Sequence, residues 1–376
     1  MHLISTQENL KKALLITSHG TGKNINLPIL SNILIKAKKG AIELISTNLE
    51  IGIIYQLRGK IEEEGEFTVD SKIITEYINL LPEENILLTT DNNETLQIEC
   101  LNYQTKIRGE SAQEFPLIPN VNQNNYYYCQ AEDLRQALNS VIFAASINDN
   151  RVELSGVLFN FEDNELTLAA TDSYRLAEKK LSIKAKDDFI KQRIIVPART
   201  IQELLRILSG YSSEGLETGI NEGIKIAVSD NQILFSVDSV ELVSRLISGQ
   251  YPDYKQIIPD KNQTLVKVKR SELLRAVKAT AIFSKVGIND INLELLSGKI
   301  IISASSGQTG ESRVEVAADV SGSDNEIAMN YRYLVDGLNN LNGEEASIGI
   351  NSSNTPCLLT NNTDTSYCYV VMPIKQ

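Results

Sequence analysis

Tryptophan is absent from this 376-residue chain, and histidine occurs only twice, at His2 and His19. With so little imidazole, a triad of the Ser-His-Asp kind has almost nothing to be built from, and neither histidine has triad-like neighbours. Cysteine is sparse as well. Cys100, Cys129, Cys357 and Cys368 show no C-x-x-C spacing, which excludes a clustered zinc site and suits reduced thiols in a reducing compartment. No apolar run approaches the length of a membrane span. The opening Met1-His2-Leu3-Ile4-Ser5-Thr6-Gln7-Glu8 lacks both the basic and the apolar stretch of a signal peptide, so a cytoplasmic protein with no membrane partner is expected. Positive charge is in the minority, 36 Lys+Arg against 48 Asp+Glu for a net −12. Gly20-Thr21-Gly22-Lys23-Asn24 imitates a phosphate loop, but the glycine spacing is wrong and Asn24 replaces the magnesium-binding Ser/Thr. Glu62-Glu63-Glu64 reads as a solvated acidic turn. No catalytic residue, metal or cofactor is expected from this inventory.

What the chain does have is recurrence. Glu8-Asn9-Leu10-Lys11-Lys12-Ala13-Leu14 returns as Glu132-Asp133-Leu134-Arg135-Gln136-Ala137-Leu138 and as Glu272-Leu273-Leu274-Arg275-Ala276-Val277, aligning Leu10, Leu134 and Leu274 at steps of 124 and 140. A second helix follows a short strand in each unit, led by Lys72, Arg199 and Arg332, which are 127 and 133 residues apart. A period of this size means three similar globular domains in series, not a solenoid. The domains are expected at 1–122, 123–253 and 254–376. Within them, Ile42-Glu43-Leu44-Ile45-Ser46-Thr47, Leu166-Thr167-Leu168-Ala169-Ala170-Thr171 and Ile300-Ile301-Ile302-Ser303-Ala304-Ser305 alternate as strands with one buried face. The fold class is α+β, each domain carrying two helices backed by antiparallel sheets. Phe115-Pro116-Leu117-Ile118-Pro119 and Tyr251-Pro252-Asp253-Tyr254 mark the joints, stiffened by proline.

Charge is distributed unevenly. Helices expected at 7–19, 71–81, 130–145, 198–208, 269–285 and 331–341 hold twelve Lys/Arg against seven Asp/Glu, on a chain that is acidic overall. Solvated helix faces with ordinary ion pairs are the plainer reading; a basic surface for a polyanion, on a protein whose other faces repel it, is the sharper one.

The strings Ala169-Ala170-Thr171-Asp172-Ser173-Tyr174-Arg175-Leu176-Ala177, Tyr251-Pro252-Asp253-Tyr254, Tyr369-Val370-Val371-Met372-Pro373-Ile374 and Leu27-Pro28-Ile29-Leu30 resemble the bacterial beta sliding clamps, the beta subunits of DNA polymerase III. The resemblance runs in order over essentially the whole chain. It implies a homodimer closed head to tail into a ring around double-stranded DNA, helices inside and sheets outside, acting as a processivity factor without catalysis of its own. Its attraction to phosphates would be independent of base sequence, as sliding requires. The DNA-contact residues it implies are Lys23, Asn24, Lys72, Asn148, Asn150, Arg199 and Arg332; Asn24 stands where the family commonly has Arg.

The resemblance also implies a pocket for an extended Gln-Leu-x-Leu-Phe-like motif borne by the clamp loader, the replicative polymerase and repair proteins. The matching residues are Leu154, Thr171, Ser173, Tyr174, Arg175, Leu176, Pro252, Ile257, Asn330, Tyr333, Val370, Val371, Met372, Pro373 and Ile374. Leu176, Val370 and Met372 offer an apolar well, while Arg175 and Asn330 offer bonds to the peptide. Ser173, Tyr174 and Gln256 depart from the common Gly, His and Arg. The first unit shows no counterpart of this pocket in its sequence. For the dimer contact the candidates are Tyr77 and Ile107 facing Ile282 and Phe283, an apolar patch where sheet edges meet. Two alternatives stay open at this level: a clamp-like scaffold that never closes on DNA, and a hydrolase acting at the 171–175 turn.

Overall fold

The computed structural model describes residues 1–38, 40–91, 95–147, 150–213, 223–361 and 363–375. One element order occurs three times. The first repeat runs β1 (His2–Thr6), α1 (Gln7–Thr17), β2 (Asn32–Lys38), β3 (Ala41–Thr47), β4 (Ile51–Leu57), β5 (Lys60–Glu63), β6 (Gly65–Asp70), α2 (Ser71–Leu80), β7 (Asn85–Asp91), β8 (Thr95–Cys100) and β9 (Tyr103–Glu110). The second runs β10 (Tyr127–Gln130), α3 (Ala131–Ile142), β11 (Gly156–Glu162), β12 (Glu165–Thr171), β13 (Arg175–Ser182), β14 (Lys184–Ala185), β15 (Gln192–Pro197), α4 (Ala198–Ser213), β16 (Gly223–Val228), β17 (Gln232–Val237) and β18 (Val240–Arg245). The third runs β19 (Thr264–Lys269), α5 (Arg270–Ala281), β20 (Asp290–Leu296), β21 (Lys299–Ser306), β22 (Gly310–Ala317), β23 (Asp319–Gly322), β24 (Asn325–Asn330), α6 (Tyr331–Asn340), β25 (Glu345–Ile350), β26 (Cys357–Asn361) and β27 (Asp364–Val371).

Every helix starts at the residue after a strand ends. Side-chain caps explain three of these turns: Thr6, Asp70 and Asn330 accept from the backbone N–H of Asn9, Ile73 and Arg332 and satisfy donors the helix leaves open. The first helices bury one stripe each, Leu10, Ala13, Leu14 and Thr17 in α1, then Leu134, Ala137, Leu138 and Val141 in α3. In α5 the stripe is Leu273, Ala276, Val277 and Thr280. The expected alignment on Leu274 is therefore one residue off: α5 begins at Arg270, which puts Leu273 on the buried face.

Helix ends also differ from the reading of the sequence. Helix α4 continues through Gly210 to Ser213, with Ser209 Oγ bonded back to Leu205 O at 2.7 Å. Helix α5 stops at Ala281, where tight turns place Phe283 N on Thr280 O and Ser284 N on Ala281 O. Lys269 and Lys285 thus fall outside the helices, and the basic surplus narrows to ten against seven.

The chain forms two compact units, residues 1–132, 184–189 and 202–246 in one and 133–183, 190–201 and 247–376 in the other. The first unit holds a 14-stranded sheet in which β4 of repeat one pairs with β18 of repeat two, Tyr55 facing Val240 and Ile51 facing Ser244. The second holds a nine-stranded and a four-stranded sheet, and there β13 of repeat two pairs with β27 of repeat three, Lys179 facing Tyr367 and Arg175 facing Val371. Among the described residues β22 pairs only with β21, and β9 is free along its outer edge before Gly109. Segments after repeats one and two fold back onto sheets: Phe115 packs on Ile29, Leu34 and Ile45, while Tyr251 and Tyr254 pack on Leu158, Ala169 and Ile195.

Candidate functional site: an apolar pocket and a basic helix row

In the second unit a cavity of about 150 Å³ opens beside the turn joining β12 to β13. The turn is over-determined. Thr171 Oγ1 donates to Arg175 O (2.6 Å) and accepts from Ser173 N (3.1 Å), while Asp172 Oδ1 accepts from Tyr174 N and Arg175 N. Ser173 sits at φ +79°, a left-handed conformation that these bonds hold in place. Leu154, Leu176 and Val370 form the buried floor with Tyr251 and Tyr254. Tyr254 donates its hydroxyl to Glu178 Oε2 at 2.5 Å; burial first, then the Glu178 charge, push that phenol far above the ordinary tyrosine value.

Of the residues expected from the sequence, Leu154, Thr171, Ser173, Arg175, Leu176, Pro252, Ile257, Val370 and Met372 line this cavity. Arg151, Asp253 and Tyr254 line it too and were not anticipated. Arg151 bridges Glu153 and Ser173, an ion pair at i, i+2 that the sequence does show. The other expected residues are not in its lining. Tyr174 is exposed and stacks on Tyr333 at 6.5 Å. Val371 is buried, and past Met372 and Pro373 the chain turns so that Ile374 N bonds Ala328 O.

Arg175 has a different task from the one expected. Nε bonds Asp172, Nη1 bonds Asp336 and Nη2 bonds Phe143 O, with the guanidinium 4.7 Å above the Tyr333 ring. Burial works against its charge, but Tyr369, Asp336 and Asp172 outweigh it and hold the group above the ordinary guanidinium value. All three nitrogens are engaged, so Arg175 ties the turn to α6 and shapes the wall. Asn330 likewise spends its Oδ1 on capping α6.

The same turn exists in repeat one, where the sequence shows no counterpart of the pocket. Thr47 Oγ1 bonds Ile51 O and Leu49 N, Asn48 Oδ1 bonds Glu50 N and Ile51 N, and Leu49 sits at φ +76°. Arg245 N donates to Glu50 O as Met372 N donates to Tyr174 O. What differs is the filling. Gly52 stands at the position of Leu176, and a Cβ there would come within 2.6 Å of Ile118 Cδ1, so Ile118 occupies the floor. The sequence carries a signal for it: Thr47-Asn48 stands 124 residues before Thr171-Asp172, the step that separates Leu10 from Leu134.

The basic candidates occupy repeated places. Lys72, Arg199 and Arg332 are each the second residue of α2, α4 and α6, and all three are exposed. Lys72 lies 3.9 Å from Glu76, and Arg332 lies over the Tyr331 ring at 6.0 Å. Lys23 and Asn24 are exposed on the loop after α1, and Asn150 is exposed on the loop after α3; Asn148 lies outside the described residues. Arg206 does not belong to an open basic face, since it is partly buried against Glu203 and burial pulls it down to about 10.

For the apolar patch, Ile107 is a correction. It faces Leu96 across the β8–β9 ladder and is buried, because its parity on the strand turns it inward. Tyr77 and Phe283 are half-buried and Ile282 is exposed. The exposed apolar neighbours that the sequence reading missed are Ile73 and Leu80 on α2, seven apart on one helical face, and Val286 and Ile288 after α5. His2 pairs with Glu62 at 3.3 Å, and among the described residues no group of three His, Cys, Asp or Glu could hold a metal. No described helix is long and apolar enough to cross a membrane.

Comparison with known proteins follows the same threefold division. Models of the DNA polymerase III beta subunit match in series: the N-terminal domain over residues 1–119, the central domain over 129–253 and the C-terminal domain over 255–375. A beta sliding clamp from Synechococcus elongatus is 29% identical over 379 residues, covering 100% of this chain and 99% of that protein. The solved structure of a putative DNA polymerase III beta subunit from Eubacterium rectale is 26% identical, covers 100% of both chains and superposes with a TM-score of 0.92. A sliding clamp from Pseudomonas aeruginosa bound to griselimycin, also 26% identical over 100% of both chains, gives 0.91. Three repeats of one strand–helix order, matched end to end, leave one conclusion: the chain belongs to the DNA polymerase III beta subunit family.

Proposed function

We propose that this chain is a DNA sliding clamp, two copies of which close head to tail around duplex DNA and tether a polymerase for processive synthesis. Its domains are taken as 1–122, 123–253 and 254–376. The observation that carries the reading is the joint between repeats. The last strand of one repeat joins the middle sheet of its predecessor twice, β18 on β4 and β27 on β13, in one register. Strand β9 is the remaining last strand and β22 the remaining middle-sheet edge. A second copy completes the series by laying its β9 on β22, which also removes both open edges.

The register follows from the repeats. Glu311 stands where Gly52 and Leu176 stand, and Lys106 stands where Val243 and Val370 stand. Glu311 thus faces Lys106 of the partner subunit, both being exposed in the single chain. Exposed Ile73 and Leu80 on one side, and Ile282, Val286 and Ile288 on the other, supply apolar area beside it. Lys23, Asn24, Lys72, Asn148, Asn150, Arg199 and Arg332 are the proposed DNA contacts. The cavity floored by Leu154, Leu176 and Val370 is the proposed seat for the Leu-Phe end of a Gln-Leu-x-Leu-Phe-like segment from polymerase, clamp loader or repair proteins.

Reversing either charge tests the joint. Lys106→Glu or Glu311→Lys alone weakens the dimer, and the two together restore it, read by sedimentation against a mass of twice 41.7 kDa. Single variants that remain as dimeric as the parent, over the full range of protein concentration, contradict this register.

A further inference from the structure

Resting on the reading of the cavity as a peptide seat, we infer that the counterpart turn in repeat one is a second protein-docking surface, for an acidic apolar peptide segment. The two sites share a backbone and have opposite chemistry. The second repeat surrounds an open apolar floor with polar Arg151, Ser173 and Asp253. The first closes its floor with Ile118 on Gly52 and puts Leu27, Leu49 and Leu117 at those three rim positions. The equivalence of Leu27 with Arg151 rests on geometry: each precedes a 3-10 turn, at φ −138°, ψ 73° and φ −131°, ψ 80°. Their turns close alike, Gly22 N on Leu30 O and Ser146 N on Leu154 O.

A rim of three leucines is costly in water, yet Leu27, Leu49 and Leu117 are 42%, 43% and 94% exposed. Apolar area gathered around a hydrogen-bonded turn marks a contact surface. Beside it Arg245 takes the place of Met372, on the same strand face as Val243, which packs against Ile118. Arg245 is exposed, and its guanidinium has no partner among the described residues. The occupant therefore lays aliphatic or aromatic side chains flat across the leucines and sets a carboxylate on Arg245, in place of the buried anchor that the other site takes.

The probe is a fluorescein-labelled peptide, Glu-Leu-Phe-Leu-Glu, titrated against the full chain by anisotropy. Two classes of site per chain are expected. Leu49→Ser with Leu117→Asp, which installs the residues of repeat two, should weaken one class at least tenfold, as should Arg245→Glu, while Arg245→Lys retains it. Met372→Ala with Ile257→Ser should weaken only the other class. All the substituted leucines lie at the surface, and circular dichroism checks that folding is unchanged. A single class that only the Met372 variant removes overturns the second surface. Loss in the Leu49 and Arg245 variants with no effect of the Met372 variant upholds this surface and overturns the cavity as a peptide seat.

Discussion

Arg175 shows how far a residue's work can lie from its apparent place. In sequence it is a basic residue in a motif turn; in the structure it is a part-buried tie with an ion pair on either side and a bond to a backbone carbonyl. Arg175→Ala removes the side-chain donor to Asp336, Phe143 O and one oxygen of Asp172, and is expected to cost about 2 kcal/mol in urea unfolding together with most peptide affinity. Arg175→Lys, lacking the planar fork, should recover little of either. The thiols are legible in kind but not in degree. Burial pushes Cys357 up to about 12, so it should stay unmodified by iodoacetamide at pH 8 until the protein unfolds; rapid labelling of the native protein would refute that. The engagement of Arg175 is not written in the local sequence, because it depends on Asp336 and Phe143 O brought in from elsewhere, whereas the inward parity of Ile107 is legible between exposed Lys106 and Arg108.

At the scale of elements, the sequence shows which helices and strands exist, through the stripes at Leu10 and Leu134 and the alternation in β3, β12 and β21. It shows less of where they end. Helix α4, expected to end at 208, continues to Ser213, and α5, expected to reach 285, stops at Ala281. Cross-repeat pairing is the least legible, since β13 meets β27 only after the chain has folded. That joint carries a salt link from Lys179 to Asp364 at 2.6 Å, with Ser366 bonded to the same carboxylate. Burial raises the Asp364 value, but Lys179 and Ser366 outweigh it and hold the carboxyl below its ordinary range. The stabilisation is therefore full above the unfolded value of about 4 and is lost as pH falls through the lower folded one. Asp364→Asn should be less stable than the parent by on the order of 1 kcal/mol at pH 7, with the gap closing below pH 4. A gap that persists unchanged at pH 3 would assign the loss to packing instead.

The whole molecule is three copies of one design with different surfaces. Each copy puts a basic residue at the second position of its second helix, Lys72, Arg199 and Arg332, while the turns beside the joints diverge into an open pocket and a filled one. The period is readable because it spans the chain, and so is the lack of a counterpart pocket in the first unit; what fills that place is not, because it rests on Ile118 packing over Gly52. Charge-neutral replacement of Lys72, Arg199 and Arg332 together should slow loading onto DNA while leaving the dimer intact, and the salt dependence of loading should flatten by about three phosphate contacts. Closure, more than contact, is proposed to hold the protein on DNA. The direct measurement is retention on a nicked circle after loading, in about 0.5 M salt, where surface contacts are screened. The protein should remain on the circle and leave within minutes of cutting it once; release at the same rate from circle and linear DNA would contradict a closed ring.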